Sequence, residues 1–331
     1  MNAFVPAEWS PHRAMWVGFP SHAELWKDDL AEARREVAML VHALAGPGRE
    51  RVKLMTATEE AMAAALELLG ATAGVEIIAG TFGDIWLRDT GPIFMGPGEA
   101  TAFKFNGWGG KYDLPGDHSV ADQIAARAGA VLTRQDFVME GGALDHDGRG
   151  SVLTTRECLL NANRNRHWRE GDAERALEEA IGARKVLWLN QGLMNDHTDG
   201  HIDNLARFVA PGAVACPVAF GPGDPNAAAY DAAAETLAGY ADADGNRLRV
   251  VRIPSPGRLM DDDHRVIPAS HMNFLIANGA VIVPTYGDPA GDWAVQALEA
   301  LFDDRVVIGL PSHALLTGGG SFHCISQQEP A

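Results

Sequence analysis

The sequence predicts a repeated α/β fold built as a single domain, and three observations carry that prediction. Several stretches follow one plan: a glycine or basic turn, a short apolar strand, a loop, then an alanine-rich helix. The 331-residue chain is 47% hydrophobic, enough for a substantial core. No long Ser/Gly linker or low-complexity segment divides it, so residues 1–331 are read as one domain. The same plan would also suit an ordinary βαβ sheet, so the number of units stays open at this level.

In chain order, Met1 to Pro20 carry Pro6, Glu8, Pro11, His12 and Arg13 rather than a basic start followed by an apolar run, which predicts neither a signal peptide nor an anchor. Asp28 to Ala45 places Leu30, Val37, Leu40, Val41 and Leu44 at helical spacing, and Pro47-Gly48 ends that helix. Arg51 to Thr56 reads as a strand leading to a helix from Glu59 to Leu69. Gly212 to Pro217 is a strand leading through Phe220 to Pro225 into a helix from Ala227 to Tyr240. Gly279 to Pro284 leads through Tyr286-Gly287-Asp288-Pro289 into a helix from Trp293 to Phe302. The last two units are alike enough to suggest internal duplication.

Composition narrows the function. No stretch approaches the about 18 consecutive apolar residues of a spanning helix, so a soluble, cytoplasmic protein is expected. Cys158, Cys216 and Cys324 form neither a disulfide framework nor a CxxC pattern, which fits a reducing compartment. The net charge of −17 argues against nucleic acid and favours a cationic partner, although solubility alone would also account for it.

Polar residues collect in a few places. Gly83 to Pro92 reads as extended, with Trp86, Arg88 and Thr90 on one side and Leu87 and Asp89 on the other; a buried acid there needs a partner. Met139-Glu140-Gly141-Gly142 runs through a hairpin-like turn, Asp145 to Gly150, into a strand from Ser151 to Thr155 and the polar loop Asn161 to Arg166. In Asn195 to Asn204, His197, Asp199, His201 and Asp203 alternate; if the segment is extended, all four share a face suited to a metal or a catalytic cluster. Gly318-Gly319-Gly320 precede Cys324, removing side chains from backbone that must pass close to something beside a thiol.

Two chemistries compete. Asp199-Gly200-His201-Ile202-Asp203 has the D-x-H-x-D form of binuclear-metal ureohydrolases, and Gly116-Asp117-His118-Ser119 is similar to another of their motifs. The further acids that would complete a metal bridge are absent, so no metal site is assigned. The alternative combines Cys324 with His201 and the acids, which makes sense for a guanidinium: carboxylates match its planar fork of N–H donors and fix its carbon before a thiolate.

These motifs together resemble the agmatine deiminases, within the guanidino-group-modifying superfamily that also holds bacterial peptidyl-arginine deiminases. The matching residues are Pro6-Ala7-Glu8-Trp9, Trp86 to Pro92, Glu140-Gly141-Gly142, Thr154 to Asn161, Thr198 to Asp203, Asn273-Phe274 with Val283-Pro284, and Gly318-Gly319-Gly320 with His323-Cys324-Ile325 and Gln327-Gln328. The resemblance implies a five-bladed α/β propeller, a pentein, of ββαβ repeats. It also implies Cys324 as nucleophile, His201 as acid and base, Asp89 and Asp203 as guanidinium-holding carboxylates, and Trp86, Glu140 and Asn273 as substrate-binding residues. A homodimer, a small cationic guanidino substrate and no metal or organic cofactor follow from the same likeness. Agmatine is the expected substrate, with free or peptide-linked arginine as the alternative; a metal-dependent ureohydrolase and a non-catalytic guanidinium-binding module are the readings of other classes. Ser321-Phe322 stands where the family commonly has Asn-Ile, and Ser270-His271-Met272-Asn273 departs from its usual Ser-Tyr-X-Asn, which leaves the substrate's far end open.

Overall fold

A computed structural model describes residues 4–287 and 289–331. The expected turn through Asp288, and Met1 to Ala3, lie outside them. The strands form five small sheets. In the first, β1 (His12–Gly18) lies between β2 (Val52–Thr56) and the strand latest in the chain, β16 (Ser326–Pro330), with β3 (Val75–Ala79) beyond β2. The others are β4 (Ile93–Gly96), β5 (Glu99–Lys104) and β6 (Val131–Val138); β7 (Asp145–His146), β8 (Ser151–Thr155) and β9 (Lys185–Leu189); β10 (Arg207–Ala210), β11 (Ala213–Val218) and β12 (Arg249–Pro254); and β13 (Leu275–Ile276), β14 (Ala280–Thr285) and β15 (Val306–Pro311).

One connection rule repeats. In each sheet an antiparallel pair is followed by a helical crossover to a parallel strand, as in β10–β11 antiparallel and β11–β12 parallel across the helix Ala227–Gly239. The helices Val120–Ala128, Glu170–Ile181 and Pro289–Glu299 serve the same purpose, and Leu30–Ala45 and Glu59–Leu69 carry the chain from β1 to β2 and on to β3. The two units that looked alike in sequence hold equivalent places, on β11 and β14. Their helices end and begin slightly off expectation, at Gly239 and at Pro289 to Glu299. In the second case Pro289, free of the need to donate, starts the helix earlier than the apolar pattern indicated.

Burial grades across each sheet. β11 and β14 are apolar and almost wholly buried, and β8, though rich in Ser and Thr, is buried throughout, whereas the parallel edge strands β6 and β15 are open to solvent, with Val131 73% exposed. β16 reverses the rule: Ser326, Gln327, Gln328 and Glu329 are all buried. Their partners explain it, since Gln328 Oε1 accepts from Arg88 Nη1 at 2.8 Å, and Glu329 Oε2 accepts from Trp16 Nε1 at 3.0 Å and Lys53 Nζ at 2.9 Å. Cys324 lies just before this buried polar strand, and Arg88, next to Asp89, pairs with it.

Two local expectations are corrected. Gly83 to Pro92 is not extended: Leu87–Thr90 is one helical turn, with all four residues buried. Gly91 N–H donates to Leu87 O at 2.9 Å, and Arg88 N–H donates to Cys324 O at 3.0 Å, so a contact with the far end of the chain outweighs local β propensity. Asn195 to Asn204 is also not a strand. Asn195, Asp199 and Gly200 have φ of 61°, 63° and 82°, and Ile202–Asn204 is a 3₁₀ turn, so the four alternating residues do not share a face. Ser151–Thr155 and the preceding hairpin match expectation. Among the described residues, no helix is long and apolar enough to cross a membrane.

Candidate active site

Cys324 leads into β16 and is 7% exposed. Each preceding glycine abuts an aromatic ring. A Cβ on Gly318 would lie 2.5 Å from Trp26, on Gly319 2.0 Å from His197 Cε1, and on Gly320 2.6 Å from Trp86. Gly319 also has a φ of 106°, which an L side chain rarely adopts. The glycines thus let the backbone wedge between rings and present the thiol. Asn273 fastens this loop: its Oδ1 accepts from His323 N–H at 3.0 Å and Cys324 N–H at 3.3 Å, and its Nδ2 lies 3.0 Å from Cys324 Sγ.

Three of the expected residues meet around Gly142. A Cβ there would lie 2.6 Å from His201 Nδ1, 2.8 Å from Asp89 Oδ1 and 3.2 Å from Asp203 Oδ2. Asp203 Oδ2 is in turn 3.6 Å from Cys324 Sγ. The helical turn Leu87–Thr90 delivers Asp89, whose oxygens accept from Gly142 N–H and Trp108 Nε1, each at 2.9 Å. The 3₁₀ turn delivers Asp203, whose Oδ2 accepts from His323 Nδ1 at 2.8 Å while Oδ1 is buried without a partner. His201 Nδ1 sits 3.8 Å from Asp89 Oδ1. An imidazole and two carboxylates therefore crowd a position that glycine leaves open, and the thiol lies beside one of the carboxylates.

The remaining expected residues take supporting places. Trp86 packs on Gly320 and donates its Nε1 to Asp84 Oδ2 at 2.8 Å, while Trp26 Nε1 donates to Asp84 Oδ1 at 3.1 Å, so one carboxylate aligns both rings. Glu140 is completely buried and accepts from Arg164 Nε at 2.9 and 3.3 Å. His197 packs against Trp108 and Tyr112, and Asp199 accepts from Asn163, Lys111 and Arg164, so both stand outside the cluster. Asp117 Oδ1 accepts from Gly83 and Asp84 N–H, a structural task unlike the metal ligation its motif suggested. Beyond the site, His197 and Gly319 border a cavity of about 880 Å³ also lined by Asp261, Asp262 and Arg265.

Sequence reasoning missed several neighbours. Cys158, taken as core packing beside Leu159 and Leu160, places its thiol within 4.8 Å of ligand atoms of both His201 and Glu140. That trio has the composition of a metal site, but the Arg164 guanidinium already occupies Glu140. His323 and Trp108, which hold the two aspartates, were signalled only by lying next to Cys324 and in a glycine-rich run.

Residues 4–330 match the Porphyromonas-type peptidyl-arginine deiminase family. The chain belongs to this family. It is 35% identical to an agmatine deiminase of Stutzerimonas stutzeri over 99% of this chain and 95% of that one, and 33% identical to one of Pseudomonas aeruginosa with the same coverage. Among solved structures it is similar to the agmatine deiminase of Enterococcus faecalis, with 29% identity and a TM-score of 0.91 over 99% of this chain and 96% of the other. A C. jejuni agmatine deiminase with substrate bound is 28% identical, with a TM-score of 0.89 over 100% and 97%. DDAH from Pseudomonas aeruginosa complexed with citrulline, 14% identical with a TM-score of 0.55 over 96% and 99%, shares the mixed α/β fold alone.

In this member of the peptidyl-arginine deiminase family the charges of the site are set by burial and by close partners. Burial, then Asp203 and Asp89, push the Cys324 thiol well above its ordinary value. For His201, burial opposes protonation, but Asp89, Cys158 and Glu140 outweigh it and raise the imidazole well above its usual range. Burial also works against the Asp203 carboxylate, yet the hydrogen bond and proximity of His323, with His201 and Arg207, hold it below the ordinary range. Asp84 is pushed up to about 6, by burial first, with the indole hydrogen bonds offsetting part of that.

Proposed function

We propose that the protein is an agmatine deiminase that hydrolyses agmatine to N-carbamoylputrescine and ammonia. The observation that carries this reading is the convergence of Asp89, Asp203 and His201 on the Gly142 position, with the Cys324 thiol 3.6 Å from the Asp203 oxygen that faces it. A guanidinium seated there donates to both carboxylates and turns its central carbon to the sulfur. Burial is the first cause that holds the thiol protonated, and the substrate's charge offsets the repulsion from Asp203 and Asp89 that adds to it, so substrate binding favours the thiolate and the thiol proton leaves to solvent.

The thiolate then bonds to the central carbon, and one C–N bond breaks as His201, already protonated, gives its proton to the departing ammonia. Neutral His201 takes a proton from water, whose oxygen bonds to the carbon of the S-linked thiouronium. The C–S bond breaks, the thiolate returns, the hydroxyl proton is lost to the released ammonia as ammonium, and a ureido group remains. Trp86 walls the site, Asn273 orients the sulfur, and Glu140 acts beside His201 rather than on the substrate's amine end, since Arg164 holds it. The scheme requires no metal or organic cofactor.

The five sheets are read as blades of one propeller domain whose axis carries the site, working as a cytoplasmic homodimer; sedimentation as a monomer at micromolar concentration would overturn the dimer. For the activity, the protein is chelated exhaustively and incubated with agmatine. Ammonia and a ureido product are expected; urea production lost on chelation would mean a metal ureohydrolase, and binding without turnover a guanidinium-binding module.

A further inference from the structure

Behind Asp203 lies a group that the proposed chemistry does not use. His323 is 3% exposed, and its two ring nitrogens face two different carboxylates: Nδ1 stands 2.8 Å from Asp203 Oδ2 and Nε2 3.3 Å from Glu8 Oε2. Glu8 is itself fixed, because Arg207 pairs with Oε2 and Ile276 N–H donates to Oε1 at 2.7 Å. The His323 backbone is held independently by Asn273 and by Arg88 Nε, which reaches its carbonyl at 3.3 Å. The side chain is therefore not needed to place Cys324, and its contacts point only backwards, from the aspartate to the interior.

The effect on Asp203 is directional. With Oδ2 committed to His323, rotation of the carboxylate is blocked and Oδ1 is left as the buried oxygen without a partner. Oδ2 is also the oxygen that lies 3.6 Å from Cys324 Sγ and 3.2 Å from the Cβ position of Gly142, so His323 fixes the oxygen that faces the site. We infer that His323 is a positioning residue for the deimination reaction: braced by Glu8, it locks Asp203 so that one oxygen stays aimed at the cationic substrate. This rests on the reading of Asp203 as a guanidinium-holding carboxylate.

The test compares His323→Asn, whose Nδ2 replaces the donor facing Asp203, with His323→Gln, whose Nε2 replaces only the one facing Glu8, and with His323→Ala. Two readouts are taken: agmatine kinetics, and the rate ratio of Cys324 alkylation by chloroacetamidine, an amidinium, to that by neutral iodoacetamide. His323→Gln and His323→Ala should lose about 30-fold or more in kcat/KM, mainly through KM, and a similar factor in the amidinium preference, with His323→Asn recovering most of both. Should His323→Ala fail to fold, the Asn and Gln variants decide alone. An unchanged amidinium preference in His323→Gln, or equal losses in Asn and Gln, overturns the inference. A wild-type protein inert towards agmatine that still shows the preference, lost in His323→Gln, would sink the proposed substrate while upholding the role of His323.

Discussion

At pH 7 a thiol whose pKa lies above 9 is ionised in fewer than about one molecule in a hundred, and burial first, then Asp203 and Asp89, push Cys324 well above that value. Iodoacetamide should therefore alkylate it slowly at pH 7 and faster as pH rises, since deprotonation of a raised thiol comes only with increasing pH; a rate already at plateau at pH 7 would contradict this. Cys324→Ala should abolish turnover, with the adduct of a stalled reaction found on Cys324 by mass spectrometry, and Cys216→Ala should retain activity because that thiol is buried in β11. Cys158 is the instructive case. Its flanking leucines advertise a core residue, and it is one, but the wall of that core is His201. Since Cys158 helps to raise His201, Cys158→Ala should lower the imidazole's pKa, so the alkaline limb of the kcat/KM profile, where protonated His201 is lost, moves to lower pH. A limb that stays in place would show that the thiol only fills space. Local sequence names residue types and spacing; which face of a buried thiol meets a catalytic imidazole is decided by another segment.

Short turns, rather than strands, present the acids, and this was the least legible part of the chain. Trp86, Arg88 and Thr90 satisfy a period-two pattern, and the bond from Arg88 N–H to Cys324 O that makes the segment a helical turn instead spans most of the chain. His197 to Asp203 alternate in sequence, yet positive φ at Asp199 and Gly200 sends Asp199 to Arg164 and leaves His201 and Asp203 together. By contrast, β11 and β14 were readable because each is an apolar run bounded by turn residues, and Ser151 to Thr155 because a turn precedes a β-branched stretch. The glycine turns offer a sharp test of the site's geometry. Gly142→Ala puts a methyl between His201, Asp89 and Asp203, so kcat/KM should fall by about 100-fold or more with the thermal transition little changed. Activity within a few-fold of wild type would mean that the guanidinium sits elsewhere.

Over the whole molecule the charge is −17, which draws a dication more strongly than a zwitterion. The arginines of the motif segments are also committed: Arg88 is buried with Nη1 on Gln328 and Nε on His323 O, and Arg156 pairs with Glu170 and Asn190. An α-carboxylate would find neither. kcat/KM for agmatine should exceed that for arginine by about 100-fold or more, on the order of 3 kcal/mol; a preference for arginine or an arginine-terminated peptide, in side-by-side kinetics, would assign Ser321-Phe322 to a different substrate. The repeated units were visible in sequence, but their number was not, because β7 and β13 are two-residue strands that leave no periodic trace. One pairing bears on how the protein is made. Trp16 on β1 donates to Glu329 on β16 across 313 positions, so at about 5–20 residues per second the ribosome holds β1 in waiting for roughly 15–60 s before its antiparallel partner emerges. Through that interval one side of β1 is an open edge, and the thiol that precedes β16 does not yet exist. A nascent chain is therefore catalytically silent until its closing strand is released, and chaperone occupancy of β1 should end at that step.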